Sequence, residues 1–316
     1  MRSLTLLYRK KTKNEKVGEM KKTIILRIFV GILALCLCIL ALTIAYFFNT
    51  DIQTKEPRQV SADCEIHTYT YMERNIFTVT KKNAEEIGNQ KYIVYFHGGS
   101  YVAEATQNHW DFLEDIVKDT GYTVIMPDYP LTPKYNYQDV YNMVEPLYKE
   151  IIETVGNENV ILMGDSAGGG LALGLYEKMA EEAVALPSKT ILISPWLDVK
   201  LENENIREIE KRDTILNKET LRLAGIAYAG NDGINSYLVN PIEGDASTFQ
   251  NVKIFIGTKD ILNPDCHLLK EKADQVNGEV EIKEYENAKH IWIIDHNSEE
   301  EVTKQAYNDV IEELKN

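Results

Sequence analysis

The sequence predicts an α/β fold in which helices cover both faces of a mostly parallel central sheet. Short apolar runs of strand length alternate with segments of helical character along most of the 316 residues. One run, residues 160–163, is uninterrupted and bounded by turn residues, as is typical of a strand buried on both faces. Because 44% of the residues are apolar, the chain can also fill one large core.

The first 48 residues differ in character from the rest. Residues 28–48 carry no charge and are long enough to cross a bilayer, and no small-residue cleavage motif of a signal peptide follows them. Nine Lys and Arg residues against two Glu give residues 1–48 a charge of +7, which favours a cytoplasmic N-terminus. We therefore predict a basic cytoplasmic N-terminus at 1–27, an uncleaved single-pass transmembrane anchor at 28–48 and an extracytoplasmic body. Met20 offers an alternative start of translation.

The body of the chain is acidic and has few cysteines. The net charge of −15 leaves −22 on residues 49–316, which argues against nucleic acid as a partner. Cys64 and Cys266 are its cysteines, and the sequence neither requires nor excludes a disulfide between them. No C-x-x-C pair and no His/Cys cluster with metal spacing occurs, so we expect neither a metal nor a cofactor. The sequence does not indicate an oligomeric state.

We expect a polar linker at 49–64 and a single domain at 65–316. An antiparallel hairpin at a sheet edge is expected at 65–71 and 75–81, followed by strands at 91–96, 123–126, 160–163, 190–193, 252–256 and 280–283. Helices are expected at 109–118, 140–154, after 170 and at 298–314. Residues 200–240 are charged and helical in character, so they interrupt the alternation. An insertion there would lie above the carboxyl ends of the strands, where ligands bind in such sheets, and we predict that it forms a small helical cap.

Gly164-x-Ser166-x-Gly168 stands between the strand at 160–163 and an apolar helix start. In this context G-x-S-x-G forms a nucleophile elbow, a strained turn that exposes the serine hydroxyl. Glycines two positions before and after the serine let the strand and helix backbones pass closely. A packing turn of small residues is the alternative interpretation, and the flanking strand and helix favour the nucleophile.

A serine nucleophile needs a base and an acid that orients the base. In this architecture the order along the chain is Ser, then Asp or Glu, then His. Asp260 directly follows the strand at 252–256, so we predict it as the acid, with Asp265 as the alternative. His290 follows the last strand and is the predicted base, whereas His296 lies beyond a further apolar run and is expected at the surface.

The oxyanion of a tetrahedral intermediate needs fixed N–H donors. One is expected from Ala167, the residue after the nucleophile. The turn at His97-Gly98-Gly99-Ser100 follows an earlier strand, and its glycines allow the backbone to approach a substrate. We predict that Gly99 and Ser100 donate their N–H groups and that Gly98 shapes the turn.

These motifs together resemble those of the hormone-sensitive-lipase-like family of α/β-hydrolases, in particular its bacterial esterase branch. The resemblance spans about residues 90–315 and rests on His97-Gly98-Gly99, Asp128-Tyr129-x-Leu131-x-Pro133, Gly164-Asp165-Ser166-Ala167-Gly168-Gly169, Ser194-Pro195-Trp196-x-Asp198, Asp260 and His290. It implies an α/β-hydrolase fold, hydrolysis of carboxylic esters through an acyl-serine, no cofactor, and a cap that selects the substrate. It also implies that His97 and Asp128 are scaffold residues that hold the oxyanion loop. The family usually has a third glycine where this chain has Ser100.

The sequence thus predicts a membrane-anchored serine carboxylesterase or lipase-like hydrolase that acts on a small-molecule or lipid ester. A serine peptidase of the same fold is one alternative, although 316 residues leave no room for the large extra domain that often filters peptides. A non-catalytic binding protein is the other alternative, and such a protein would be expected to have lost one of the three predicted catalytic residues.

Overall fold

The computed structural model describes residues 32–33, 36–43, 45–46, 49–82, 90–295, 298 and 300–316. The described residues fall into two compact units, one within residues 1–50 and the other within residues 51–316. In the first unit the described residues from 32 to 49 are helical. The predicted basic N-terminus at 1–27 and part of the predicted anchor at 28–48 lie outside the described residues. Within the part of the chain that is described, no helix combines the length and the hydropathy that a membrane span requires.

The second unit is built on one eight-stranded sheet with the order β1-β2-β4-β3-β5-β6-β7-β8. The strands are β1 (Cys64–Tyr71), β2 (Arg74–Lys81), β3 (Tyr92–Phe96), β4 (Thr123–Pro127), β5 (Val160–Asp165), β6 (Lys189–Ile193), β7 (Val252–Gly257) and β8 (Val280–Tyr285). β1 and β2 form the antiparallel hairpin at one edge, β2 pairs antiparallel with β4, and the remaining pairings are parallel. The predicted α/β fold with a mostly parallel sheet is therefore confirmed.

Seven α-helices accompany the sheet in the described part of this unit. They are α1 (Gln107–Thr120), α2 (Tyr137–Val155), α3 (Ser166–Glu181), α4 (Ile206–Ile209), α5 (Lys218–Ala229), α6 (Asn263–Gln275) and α7 (Glu301–Lys315). Local side chains cap the start of some of these helices. At the start of α2, for example, the Asn136 side chain accepts from the Gln138 N–H, and the Asp139 carboxylate accepts from the Asn136 N–H. This reciprocal capping satisfies N–H groups that the helix itself leaves unpaired.

Apolar side chains pack on both faces of the sheet and form two separate core clusters. Consecutive residues of β3 contribute to opposite clusters: Val94 and Phe96 to one, Ile93 and Tyr95 to the other. Because successive side chains of a strand point to opposite faces, a strand covered on both sides must be apolar throughout. This explains the uninterrupted apolar runs of the sequence.

The domain begins earlier in the chain than the sequence suggests. The sequence predicts a linker at 49–64, yet the compact unit starts at Asp51. Asp51 pairs with Arg74, with 2.8 Å between Oδ1 and Nη1, and Thr54 is fully buried. The polar composition of this segment is typical of a linker. The segment can nevertheless pack into the domain, because its polar groups find polar partners there.

Residues 200–240, between β6 and β7, contain helices α4 and α5 and no strand. The two body cysteines are free thiols. Cys64 belongs to the core cluster on one face of the sheet, and Cys266 belongs to the cluster on the opposite face. A disulfide between them does not form because the sheet separates them.

Candidate active site

Ser166 is the first residue of α3 and directly follows β5. Its backbone φ is +50°, in the left-handed region that few non-glycine residues adopt. The turn closes because its flanking glycines lack side chains. A Cβ on Gly164 would overlap the backbone of Gly168, and a Cβ on Gly168 would overlap the carbonyl oxygen of Phe96 in β3. The strand, the turn and the helix thus have the strained geometry that holds a serine hydroxyl at the end of a parallel sheet.

The structure brings Ser166, His290 and Asp260 together. His290 Nε2 lies 2.9 Å from Ser166 Oγ, and His290 Nδ1 lies 2.8 Å from Asp260 Oδ2. An ionised carboxylate only accepts hydrogen bonds, so Nδ1 carries the hydrogen that Asp260 accepts. In the neutral imidazole Nε2 is then an acceptor, and the Ser166 hydroxyl donates to it. This is the orientation in which an imidazole can remove the hydroxyl proton.

The loops that carry His290 and Asp260 are joined to each other. The Lys259 N–H donates to the Ala288 carbonyl at 3.0 Å, and a Cβ on Gly257 would overlap the same carbonyl. The remaining oxygen of Asp260, Oδ1, accepts from the Leu262 N–H at 2.9 Å. These contacts fix the carboxylate and the imidazole in a common frame, so their alignment does not depend on one hydrogen bond alone.

The environment of His290 favours its protonated form. Burial alone would lower the pKa of this imidazole, but the adjacent Asp260 carboxylate raises it, and Asp213 and Asp165 raise it further. The net effect is a pKa above the ordinary value of 6.5. This environment would stabilise the imidazolium if the imidazole accepted a proton from the neighbouring hydroxyl.

Asp265, the alternative acid, does not contact His290. Its Oδ1 accepts from the Asn203 side-chain amide at 3.0 Å, which joins α6 to the 200–240 segment. Burial raises the pKa of Asp265 to about 7, and the neighbouring Asp198 contributes to the increase. His296 lies outside the described residues.

The predicted oxyanion loop lies directly against the elbow. A Cβ on Gly98 would overlap Asp165 Oδ2 and would lie 3.0 Å from Ser166 Cβ. Gly99 and Ser100 have φ of +117° and +56°. Within the described residues, the N–H groups of Gly99, Ser100 and Ala167 form no hydrogen bond with a protein acceptor. Free N–H groups beside a nucleophile are what an oxyanion requires.

Asp165 links the elbow to the predicted oxyanion loop, a role that the sequence analysis does not predict. Its Oδ1 accepts from the Gly98 N–H at 2.8 Å and from the Tyr95 hydroxyl at 2.6 Å, and its Oδ2 lies 3.4 Å from His109 Nε2. His109 Nδ1 accepts from the Thr106 N–H, so the hydrogen is on Nε2 and is donated to Asp165. Burial raises the pKa of Asp165, but these donors lower it by more, and the net shift is downward. The sequence feature that could have pointed to Asp165 is its position inside G-x-S-x-G, directly before Ser166.

The 200–240 segment contacts this site in two places. Asp213 Oδ2 accepts from the N–H of Ile261, the residue after Asp260, at 3.0 Å. The ring of Tyr228 in α5 stacks on Tyr101 of the oxyanion loop, with 3.6 Å between ring centroids. Neither residue stood out in the sequence, because an aspartate in a charged segment and a tyrosine in a helix carry no motif.

A cavity of about 450 Å³ opens beside His290 and Gly99. Ile215 of the 200–240 segment and Trp292 contribute to its walls. The cavity can therefore accept a small organic group next to the imidazole and Gly99. Among the described residues, no group of three or more His, Cys, Asp or Glu side chains is arranged to hold a metal ion.

Comparison with known proteins gives a consistent result. A family model described as alpha/beta hydrolase fold matches residues 93–294. An esterase of Acinetobacter venetianus is 31% identical over 196 residues, which are 61% of this chain and 64% of the esterase. The chain thus aligns with a little under two thirds of that relative.

Solved structures share the architecture. A candidate esterase from Staphylococcus aureus superposes with a TM-score of 0.77 at 25% identity, covering 83% of this chain and 87% of that protein. A hormone-sensitive lipase from a metagenome library superposes with a TM-score of 0.75 at 22% identity, covering 81% and 85%. Because the sequence identity to this lipase is only 22%, the similarity to it shows the fold alone.

Proposed function

The chain belongs to the hormone-sensitive-lipase-like family of α/β-hydrolases, and we propose that it is a serine carboxylesterase that works through an acyl-serine intermediate. One observation carries the proposal: His290 contacts the Ser166 hydroxyl through one ring nitrogen and the Asp260 carboxylate through the other. A serine hydroxyl becomes nucleophilic only when a base accepts its proton, and this arrangement supplies an oriented base.

In the first half of the reaction, Ser166 Oγ attacks the ester carbonyl carbon while its proton passes to His290 Nε2. The carbonyl oxygen becomes an oxyanion, which the N–H groups of Gly99, Ser100 and Ala167 would stabilise. The C–O bond to the alcohol then breaks, and the alkoxide leaves with the proton from His290. Asp260 stays ionised throughout and stabilises the imidazolium.

In the second half, water attacks the acyl-serine carbonyl and gives its proton to His290. The second tetrahedral intermediate collapses, the carboxylic acid leaves, and the proton returns to Ser166 Oγ. Each bond formed and broken is accounted for by ester, water and the three side chains, so this proposal needs no cofactor. The cavity beside His290 and Gly99 supports a small-molecule ester as substrate, or the ester end of a lipid.

Turnover of p-nitrophenyl acetate by the purified chain tests the proposal, together with labelling of Ser166 by a fluorophosphonate, located by peptide mass spectrometry. We expect hydrolysis and a single labelled serine. A chain that binds the ester without cleaving it would be the non-catalytic binding protein. Faster cleavage of peptide p-nitroanilides than of the ester would instead indicate a serine peptidase of the same fold. An acyl chain-length series then defines which ester is preferred.

We further propose that residues 200–240 act as a cap over the site and that residues 28–48 anchor the chain in the cell membrane, with the catalytic domain outside the cytoplasm. The contacts of Asp213 and Tyr228 with the active-site loops support the cap.

The uncharged stretch after a basic N-terminus supports the anchor. Retention in membranes after alkaline carbonate extraction, with protease sensitivity of the domain in intact cells, is the expected result. Release by carbonate would contradict the anchor.

A further inference from the structure

The segment before β1 contributes a buried hydroxyl to the support of the oxyanion loop. Thr54 is 1% exposed, although the residues around it are polar and look like a linker. Its Oγ1 lies 3.4 Å from His97 Nε2 and 3.3 Å from the N–H of Ala105. His97 begins the loop that carries Gly99 and Ser100, and Ala105 ends it. One hydroxyl group therefore contacts both ends of the loop.

The direction of each hydrogen bond follows from the chemistry of the partners. His97 Nδ1 lies 2.7 Å from the Gly98 carbonyl oxygen, which can only accept, so Nδ1 carries a hydrogen. Burial lowers the pKa of His97 to about 4, with the nearby His109 adding to the effect, so the imidazole is neutral at pH 7. Nε2 is then an acceptor, and the Thr54 hydroxyl donates to it. The hydroxyl oxygen accepts from the Ala105 N–H at the same time.

Hydrogen bonds to Asp128 and from Arg74 fix the segment that carries Thr54. Its backbone N–H donates to Asp128 Oδ1 at 2.8 Å. Arg74 donates from Nε to the Asp128 carbonyl at 3.0 Å and from Nη1 to Asp51 Oδ1 at 2.8 Å. The segment from Asp51 to Thr54 is thus held against the domain by a network of hydrogen bonds.

We propose that Thr54 is a positioning residue of the oxyanion loop, and this inference rests on the function proposed above. Through His97 and Ala105 it holds residues 97–105 in the conformation that points the Gly99 and Ser100 N–H groups at the reacting carbonyl oxygen. Without the hydroxyl, His97 Nε2 and the Ala105 N–H lose their partner in a buried site, and the loop gains freedom to move. Donors that are misplaced stabilise the tetrahedral state less, while substrate binding changes little.

Thr54→Val is the central variant, because valine has nearly the shape of threonine and lacks the hydroxyl. Thr54→Ser restores the hydroxyl, and Thr54→Cys offers a weaker donor in its place. Thr190→Val is the matched control, since Thr190 is also fully buried but its Oγ1 has no hydrogen-bond partner. Each full-length variant is assayed with p-nitrophenyl acetate, and kcat is divided by the number of sites that a fluorophosphonate titrates.

Loss of one complete oxyanion donor costs about 10²–10³ in kcat, so partial misplacement should cost about tenfold. We expect kcat of Thr54→Val to fall by about tenfold with KM within about twofold of wild type. The inhibition constant of phenylboronic acid, which forms a tetrahedral adduct with the serine, should rise by a similar factor. Thr54→Ser should retain most of kcat, Thr54→Cys should be intermediate, and Thr190→Val should match wild type.

The outcomes separate the two proposals. A wild-type chain without turnover overturns the proposed function and this inference with it. An active wild type with an unchanged kcat and boronic acid affinity in Thr54→Val overturns the inference alone. If Thr54→Val does not fold, the test is the kcat per titrated site of wild type, Thr54→Ser and Thr54→Cys, which should decrease in that order. Equal values across that series would overturn the inference.

Discussion

His290 Nε2 lies 2.9 Å from Ser166 Oγ, although the two residues are 124 positions apart in the sequence. Ser166 follows β5 and His290 follows β8, and two strands lie between β5 and β8 in the sheet. Neighbouring strands are about 4.8 Å apart, so the strand ends themselves are about 14 Å apart. The loop after β8 must therefore return across the ends of β7 and β6. The hydrogen bonds from Lys259 to Ala288 and from Ile291 to the Ser194 hydroxyl hold it there.

Replacing Ser166 by alanine tests the nucleophile. We expect Ser166→Ala to reduce hydrolysis of p-nitrophenyl acetate by about a thousandfold or more, because the base then has no hydroxyl to activate. The fold should persist, since alanine fits the space that the serine occupies on the turn. Ser247→Ala, an exposed serine outside the site, is the control. Turnover near the wild-type rate in Ser166→Ala would reject Ser166 as the nucleophile.

The pH dependence of kcat/KM tests the base. Because Asp260 raises the pKa of His290, the imidazolium persists above the ordinary value of 6.5 and cannot accept a proton. We therefore expect kcat/KM to increase with pH, with a midpoint above 6.5, and to be lost as the pH falls through that midpoint. The sequence alone suggested a midpoint near about 6.5, the unperturbed value. Histidine side chains titrate between about pH 5 and 8, so a rate that does not change over this range would contradict a histidine base.

Asp260→Asn provides the comparison for that profile. Removal of the carboxylate charge should lower the midpoint, because the imidazolium loses its main stabilising partner. The plateau rate should fall by about 10⁴, since an amide can also hold the imidazole in the wrong tautomer. If His290 is the titrating group, the midpoint of the Asp260→Asn profile should be lower than that of wild type. If another group titrates, the two midpoints should be the same.

The close approach of the oxyanion loop to the elbow predicts the effect of a single methyl group. In Gly98→Ala the new Cβ would overlap Asp165 Oδ2 and crowd Ser166 Cβ, so the loop must move away from the nucleophile. We expect kcat to fall by about 10² or more, comparable to loss of an oxyanion donor. Gly121→Ala is the matched control: Gly121 has φ of +74° but no neighbour where a Cβ would lie. It should cost about 1 kcal/mol of stability and leave kcat unchanged.

The sequence predicted what is local in the fold. Strand and helix order, the elbow at Ser166 and the parallel sheet follow from hydrophobic period and glycine spacing, which act over a few residues. The acid was assigned to Asp260 ahead of Asp265 because it stands directly after a strand, and the structure has Asp260 in contact with His290. Residue order along the chain can predict this contact because parallel strands end at one edge of the sheet.

Contacts between distant polar residues could not be predicted in the same way. Thr54 and Asp165 are single polar residues whose partners are far away in the sequence, and no periodicity marks them. Thr54 lies in a polar segment whose composition is typical of a linker, yet its burial and its contacts with His97 and Ala105 show that it belongs to the domain. Sequence composition records polarity but not whether a polar group has a protein partner.

The contact between Asp213 and the turn after Asp260 predicts that the 200–240 segment influences the base. Asp213 accepts from the N–H groups of Ile215 and Leu216 through Oδ1 and from that of Ile261 through Oδ2. Asp213→Asn leaves one acceptor oxygen for three donors and removes a charge that raises the pKa of His290. We expect kcat/KM to fall by about tenfold and its pH midpoint to move down, by less than in Asp260→Asn.

Asp232→Asn is the control for this variant, because Asp232 is exposed in the same segment. It carries the same charge change but lies outside the contacts of the site, so its profile should match wild type. If Asp213→Asn and Asp232→Asn behave alike, the segment affects His290 only through its overall charge, and the hydrogen bond to Ile261 has no role in aligning Asp260. A reduced rate in Asp213→Asn alone would mean that the segment helps to hold the acid in place.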